Sequence, residues 1–106
     1  MTVKFILVFI TAPSKKEGER IVSELMNKHL IACGNILEGV DSIFTWKNKV
    51  ERASEVLVIL KTKRSMFKEI VYVVEKHHSY EVPEIIALPV IEGSKEYLKW
   101  VDENVY

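Results

Sequence analysis

The stretch Ile31-Ala32-Cys33-Gly34-Asn35-Ile36-Leu37-Glu38-Gly39-Val40-Asp41-Ser42-Ile43-Phe44-Thr45-Trp46-Lys47 decides the fold. Cys33, Asn35 and Leu37 alternate with Gly34, Ile36 and Glu38, the period of a strand. Gly39 marks a bulge or bend, because alternation resumes from Val40 to Trp46. Lys47-Asn48-Lys49 reads as a tight turn, with Asn48 suited to a left-handed conformation. Val50 to Lys63 returns as the partner strand, strongest over Val56 to Leu60. Each arm has roughly 16 residues, on the order of 50 Å at ~3.3 Å per residue. A domain of this size has a radius of gyration near ~13 Å. The hairpin must therefore bend sharply or project beyond its own core. A projecting ribbon carrying Val40, Ile43, Phe44 and Trp46 exposes apolar surface and open strand edges, which monomers avoid. The geometry predicts an obligate oligomer in which another copy covers it.

Outward from the ribbon, the rest of the chain falls into place. Val3 to Ile10 is a nearly unbroken apolar run and reads as a strand buried on both faces. After Thr11-Ala12-Pro13, Ser14-Lys15-Lys16-Glu17 has the capping-box form. Ile21, Val22, Leu25, Met26 and Leu30 then mark a helix to about His29. On the other side, Met66, Phe67, Ile70, Val71, Val74 and His77 mark a second helix, with Ser65 as its cap. Ile85 to Val90 is a strand, and Pro89 puts it at an edge or a terminus. Gly93-Ser94 opens a last helix with Tyr97, Leu98 and Val101 on its apolar face. The order β-α-β-β-α-β plus a helix predicts a ferredoxin-like α+β sandwich. Residues 1–106 form a single domain on this reading.

Composition bounds the function. The chain has 106 residues, 48% hydrophobic and 28% charged, with 15 Lys and Arg against 15 Asp and Glu. A neutral chain without a basic run offers no footprint for nucleic acid. No stretch is long and apolar enough to span a membrane, and none reads as a signal peptide. A single cysteine, Cys33, has no internal partner for a disulfide, which fits a reducing cytoplasm.

The densest chemistry lies in His77-His78-Ser79-Tyr80-Glu81-Val82-Pro83-Glu84, between the second helix and the edge strand. His77, His78, Glu81 and Glu84 are the candidate ligands for a divalent metal, copper foremost, since imidazole suits copper, zinc and nickel. The structural alternative has His77 closing the helix's inner face and His78 favouring its negative C-terminal dipole. For Glu81 and Glu84 it is a salt bridge. A second candidate group is Cys33, Asn35, Trp46, Lys61 and Tyr80, lining a pocket between subunits. Its alternatives are a small buried thiol, a backbone-bonded amide, a surface lysine and two core aromatics. There is no Gly-x-Ser-x-Gly, no Cys-x-x-Cys and no clustered glycine loop, so nothing points to an enzyme.

Taken together, several segments carry a family resemblance. They are Thr11-Ala12-Pro13, Cys33-Gly34-Asn35-Ile36, Ser42-Ile43-Phe44-Thr45-Trp46, Lys61-Thr62, Tyr80-Glu81-Val82-Pro83-Glu84-Ile85 and Tyr97-Leu98-Lys99-Trp100. In this order and spacing the chain resembles the divalent-cation tolerance proteins called CutA, over almost its whole length. The resemblance implies a ferredoxin-like fold, a homotrimer whose hairpins pair between subunits, a cytoplasmic setting and a link to tolerance of copper and other divalent ions. No enzymatic reaction comes with it. The trimeric architecture is similar to that of nitrogen-regulatory signalling proteins, which bind effectors in clefts between subunits. A small-molecule effector or a purely anchoring role therefore stand beside metal binding. Three positions depart from the family pattern. Ser79 stands where Pro is usual, Phe44 where Tyr is frequent, and Ile10 where members credited with a copper site have Cys.

Overall fold

The computed structural model describes residues 3–106. Its elements are β1 (Phe5–Ala12), α1 (Lys15–Asn27), β2 (Cys33–Trp46), β3 (Lys49–Lys63), α2 (Phe67–His77), β4 (Ile85–Pro89) and α3 (Lys95–Asn104). The four strands form one sheet in the order β2-β3-β1-β4, and every neighbouring pair is antiparallel. This is the ferredoxin-like sandwich expected from the element order, with α3 added.

Alternation along the strands sets the core. Ile6, Val8, Ile10 and Ala12 of β1 and Val56, Val58 and Leu60 of β3 point to one face. They bury there against Ile21 and Leu25 of α1 and Ile70, Val73 and Val74 of α2. Gly34 lets α1 close on the sheet: a Cβ there would stand 2.8 Å from Val22 Cγ1. Among the described residues, the opposite face is covered only at one end. Val101 and Val105 at the α3 end of the chain pack there with Ala32, Phe5 and Met66. The apolar run of β1 predicts burial on both faces. Only one face is buried, because both long helices lie on the same side of the sheet; Phe5, Leu7, Phe9 and Thr11 remain partly exposed.

The ribbon projects. β2 and β3 pair from Cys33↔Lys61 to Trp46↔Lys49, with a register break between Leu37 and Val40. Gly39 sits in that break at φ +77, the bulge conformation that glycine takes without steric cost. The tip is tighter than expected: Lys47 and Asn48 both have positive φ, 49° and 66°, as a two-residue hairpin turn matched to strand twist requires. β1 pairs with β3 only from Val56 to Lys63. Among the described residues, no third strand pairs with the outer half of the ribbon. The molecule accordingly measures 44 × 29 × 24 Å with a radius of gyration of 14.3 Å, above the ~13 Å of an average domain this long.

Three local expectations are corrected. α1 ends at Asn27, and His29 takes a left-handed φ of 57°. There His29 N–H bonds Met26 O and Leu30 N–H bonds Leu25 O, the Schellman closure. Ser65 does not cap α2; a 3₁₀ turn over Arg64–Met66 leads in, and no side chain caps the helix. Ser14 does cap α1, accepting from Glu17 N–H at 3.1 Å. The Glu17 carboxylate, however, is drawn to a neighbour 62 residues on.

Candidate functional site

The loop after α2 is built around His78, not His77. His78 leaves the helix in an extended conformation (φ −88, ψ 138) and turns its ring inward. Its Nε2 donates to the Thr11 carbonyl at 2.7 Å, and its Nδ1 accepts from Tyr80 N–H at 3.1 Å. The side chain is fully enclosed. Glu17 Oε2 lies 3.4 Å from Nδ1 but is held by Ser79, accepting from its N–H and its hydroxyl at 3.0 Å each. Tyr80 stacks on His78 with centroids 4.7 Å apart and donates its hydroxyl to Glu55 Oε2 at 2.6 Å. Burial, then the hydrogen bond and charge of Glu55, push the Tyr80 phenol well above its usual value.

The assignment of the two imidazoles is therefore the reverse of the structural alternative drawn from sequence. His78 fills the inner site and His77 stays at the helix end. There His77 Nε2 stands 3.8 Å from Glu24 Oε2, both groups partly exposed. Arg20 caps the helix by donating to the His77 carbonyl at 2.9 Å. The physical reason is that α2 stops at His77. One residue further, the chain direction changes and the next side chain swings under β1.

These positions do not fit a metal cage within one chain. Both His78 nitrogens are committed, His77 faces Glu24, and Glu81 and Glu84 lie exposed. Among the described residues, no group of three or more His, Cys, Asp or Glu side chains converges as metal ligands.

The second group is partly assembled. Lys61 and Cys33 are register partners, and Asn35 is two residues along the same edge. The Lys61 ammonium donates to the Asn35 side-chain oxygen and lies 4.0 Å from Cys33 Sγ. Cys33 is a free thiol, partly exposed. Trp46 and Tyr80 are not with them. Trp46 is at the ribbon tip, and Tyr80 reaches β3 at Glu55, six residues from Lys61, roughly 20 Å along a strand. Tyr97, which sequence placed only in the apolar face of α3, sits against Cys33. Its phenol is pushed up by burial and by that thiol. Sequence reasoning did not single out Glu55, Glu17 or Glu24 as site residues. Only Glu55 carried a signal, as a carboxylate opening the apolar run Val56 to Leu60.

Fold and site define a class: a ferredoxin-like α+β sandwich with a β-ribbon arm and a half-uncovered sheet. The chain belongs to the CutA1 divalent ion tolerance protein family, whose model matches residues 6–104. The divalent-cation tolerance protein CutA of Archaeoglobus fulgidus is 45% identical over 98 residues, 92% of this chain and 95% of the relative. The chloroplastic CutA of Arabidopsis thaliana is 39% identical over 97% of this chain, which spans 57% of that protein's length; the rice relative is likewise spanned to 58%. Among solved structures, the divalent cation tolerance protein from Thermus thermophilus superposes with a TM-score of 0.94 at 39% identity, covering 96% of this chain and 99% of its own. CutA1 from Oryza sativa gives 0.94 at 37%, covering 99% and 96%. No helix among the described residues is long and apolar enough to cross a membrane.

Proposed function

We propose that the chain acts as a cytoplasmic homotrimer in tolerance of divalent cations, as a binding protein and not an enzyme, with its ligand held between subunits. One observation carries the assembly. The ribbon's outer half and the open sheet face leave Ile43, Phe44, Trp46, Val50, Ile86 and Leu88 exposed, and such apolar surface on a small domain calls for a partner. Light scattering tests it. A mass of three chains is expected, and a mass of one chain for folded protein at micromolar concentration removes it.

The metal part of the proposal gives His77, paired with Glu24, the accessible imidazole, with Glu81 and Glu84 as accessible carboxylates. Since these do not close a cage, a second copy supplies the remaining donors, and copper, the cation best suited to imidazole, binds weakly and at the surface. Titration with Cu(II) should show His77→Ala losing most of this binding. An affinity unchanged by that substitution would falsify the role of His77. His78 contributes to the fold of the site and not to the ion. The lone, unpaired Cys33 supports the cytoplasmic setting; recovery of the protein outside the cytoplasm on cell fractionation would remove that part.

A second reading, a small-molecule effector in the subunit cleft, is favoured by the Lys61, Cys33 and Asn35 group. Trp46 and Tyr80 lie too far away to join it within one chain. A neighbouring subunit supplies them in this reading.

A further inference from the structure

A cavity of about 330 Å³ opens where the end of β4 meets the start of β1. Val3, Ile6, Ala87, Leu88, Pro89 and Ile91 line it, together with one charged residue, Arg64. Strand register explains the opening. Pro89 stands opposite Ile6 and Ala87 opposite Val8, so these four share the face that carries the helices. The helices bury Ile6 and Val8 there but leave Ala87 and Pro89 exposed. Backbone bonds hold the walls: Arg64 N–H donates to the Lys4 carbonyl at 2.8 Å, and Val90 N–H to the Phe5 carbonyl at 3.0 Å. The fold itself therefore shapes the cavity, as is usual for ligand sites. The candidate metal and effector residues lie outside it.

Charge and shape select the occupant. Lys63 precedes Arg64 in the chain and Lys4 accepts its N–H; these two lysines share Asp102, at 3.1 and 3.2 Å. Arg64 has no such partner: among the described residues, no carboxylate lies within ion-pairing distance of it, and that includes Glu92, next to Ile91. Arg64 also opens the turn that leads into α2, which no side chain caps, so the positive end of the helix adds charge of the same sign. A guanidinium offers a carboxylate two parallel N–H bonds. The rest of the wall is hydrocarbon and favours an apolar body. Ala87 and Pro89 are low and leave a slot suited to a slender chain. The volume falls at the low end of ligand pockets, ~300–1,000 Å³, which suits a small molecule.

We propose that this corner binds a small straight-chain carboxylate, an alkanoate of hexanoate to octanoate size. The carboxylate meets the Arg64 guanidinium, and the alkyl chain lies over Ile6 along Ala87 and Pro89. This site is separate from the metal and effector positions. All its lining residues belong to one chain, so it stands or falls independently of the trimer.

The test titrates the full chain with butanoate, hexanoate, octanoate, decanoate and neutral octanol, by calorimetry and by the unfolding midpoint. Affinity should rise about fourfold per added methylene up to octanoate and level off at decanoate, when the cavity is full. Octanoate should raise the midpoint in a concentration-dependent way. Arg64→Met should weaken octanoate roughly tenfold or more and leave octanol unchanged. Ala87→Phe fills the slot and should weaken both; if that variant does not fold, Arg64→Met and the chain-length series decide alone. No binding of octanoate overturns the proposal, and so does equal octanoate affinity in Arg64→Met. Equal affinity for butanoate and octanoate overturns it as well, because the anion alone would then be bound. A gain that continues undiminished through decanoate and is unchanged in Ala87→Phe marks general apolar surface, such as the open sheet face, and also removes the site.

Discussion

The inner and outer halves of β3 belong to one continuous strand, paired with β2 along both, and have opposite fates. From Val56 to Lys63 the strand lies between β2 and β1, and Val56, Val58, Leu60 and Thr62 are buried under the helices. From Lys49 to Ser54 it pairs with β2 alone, and Val50 is 74% exposed. Periodicity makes a strand; burial needs something on the face. The inner half has two helices above it, and among the described residues nothing covers the outer half. Glu55, at 7% exposure, is the hinge between them, tied to Tyr80.

The comparison breaks most visibly at Leu60. Leu60→Ala empties a fully buried position and should cost about 2–5 kcal/mol, read from urea midpoints. Ile43→Asp on the outer half acts by a different route. It should leave the fold of the sandwich intact and abolish the dependence of the unfolding midpoint on protein concentration, which Leu60→Ala keeps. If both substitutions behave alike, the two halves are not distinct.

Tyr80→Phe probes the hinge. It leaves the Glu55 carboxylate buried without its phenol partner, a loss of about 1.5–3 kcal/mol. The pH dependence sharpens this. The Tyr80 phenol is raised in the folded state, so folded protein holds the proton more tightly than unfolded chain. The resulting stability is fully present below the ordinary tyrosine value near ~10 and is lost as pH rises beyond it. Urea midpoints at neutral and strongly alkaline pH should therefore fall more steeply for the parent than for Tyr80→Phe; parallel curves would sink the assignment.

A smaller effect is expected at Gly34, on the inner half of β2. Gly34→Ala places a methyl 2.8 Å from Val22 Cγ1, and overpacking of this kind costs about 1–3 kcal/mol. The paired change Gly34→Ala/Val22→Ala should recover part of that loss. A thermal midpoint unmoved by Gly34→Ala would mean that α1 sits less tightly on the sheet than its geometry shows.

Much of this was legible in the chain itself. Alternation from Cys33 to Leu37, the bulge at Gly39, the turn at Asn48 and the helical spacing around Ile21 and Ile70 are local regularities, and local geometry enforces them. The projecting ribbon followed from counting residues against the size of a core. The two polar groups were visible only as suspects. Which of two adjacent histidines turns inward depends on where α2 stops and on what β1 offers beneath it, the Thr11 carbonyl. Glu17 abandons half of a local capping motif for Ser79, 62 residues away. Among the described residues Lys61 has no counter-charge, while Lys63 has Asp102, brought to it from α3. Backbone periodicity is written in neighbours along the chain, so the order of residues determines it. Partners for buried or charged side chains come from distant segments, so only the folded arrangement assigns them.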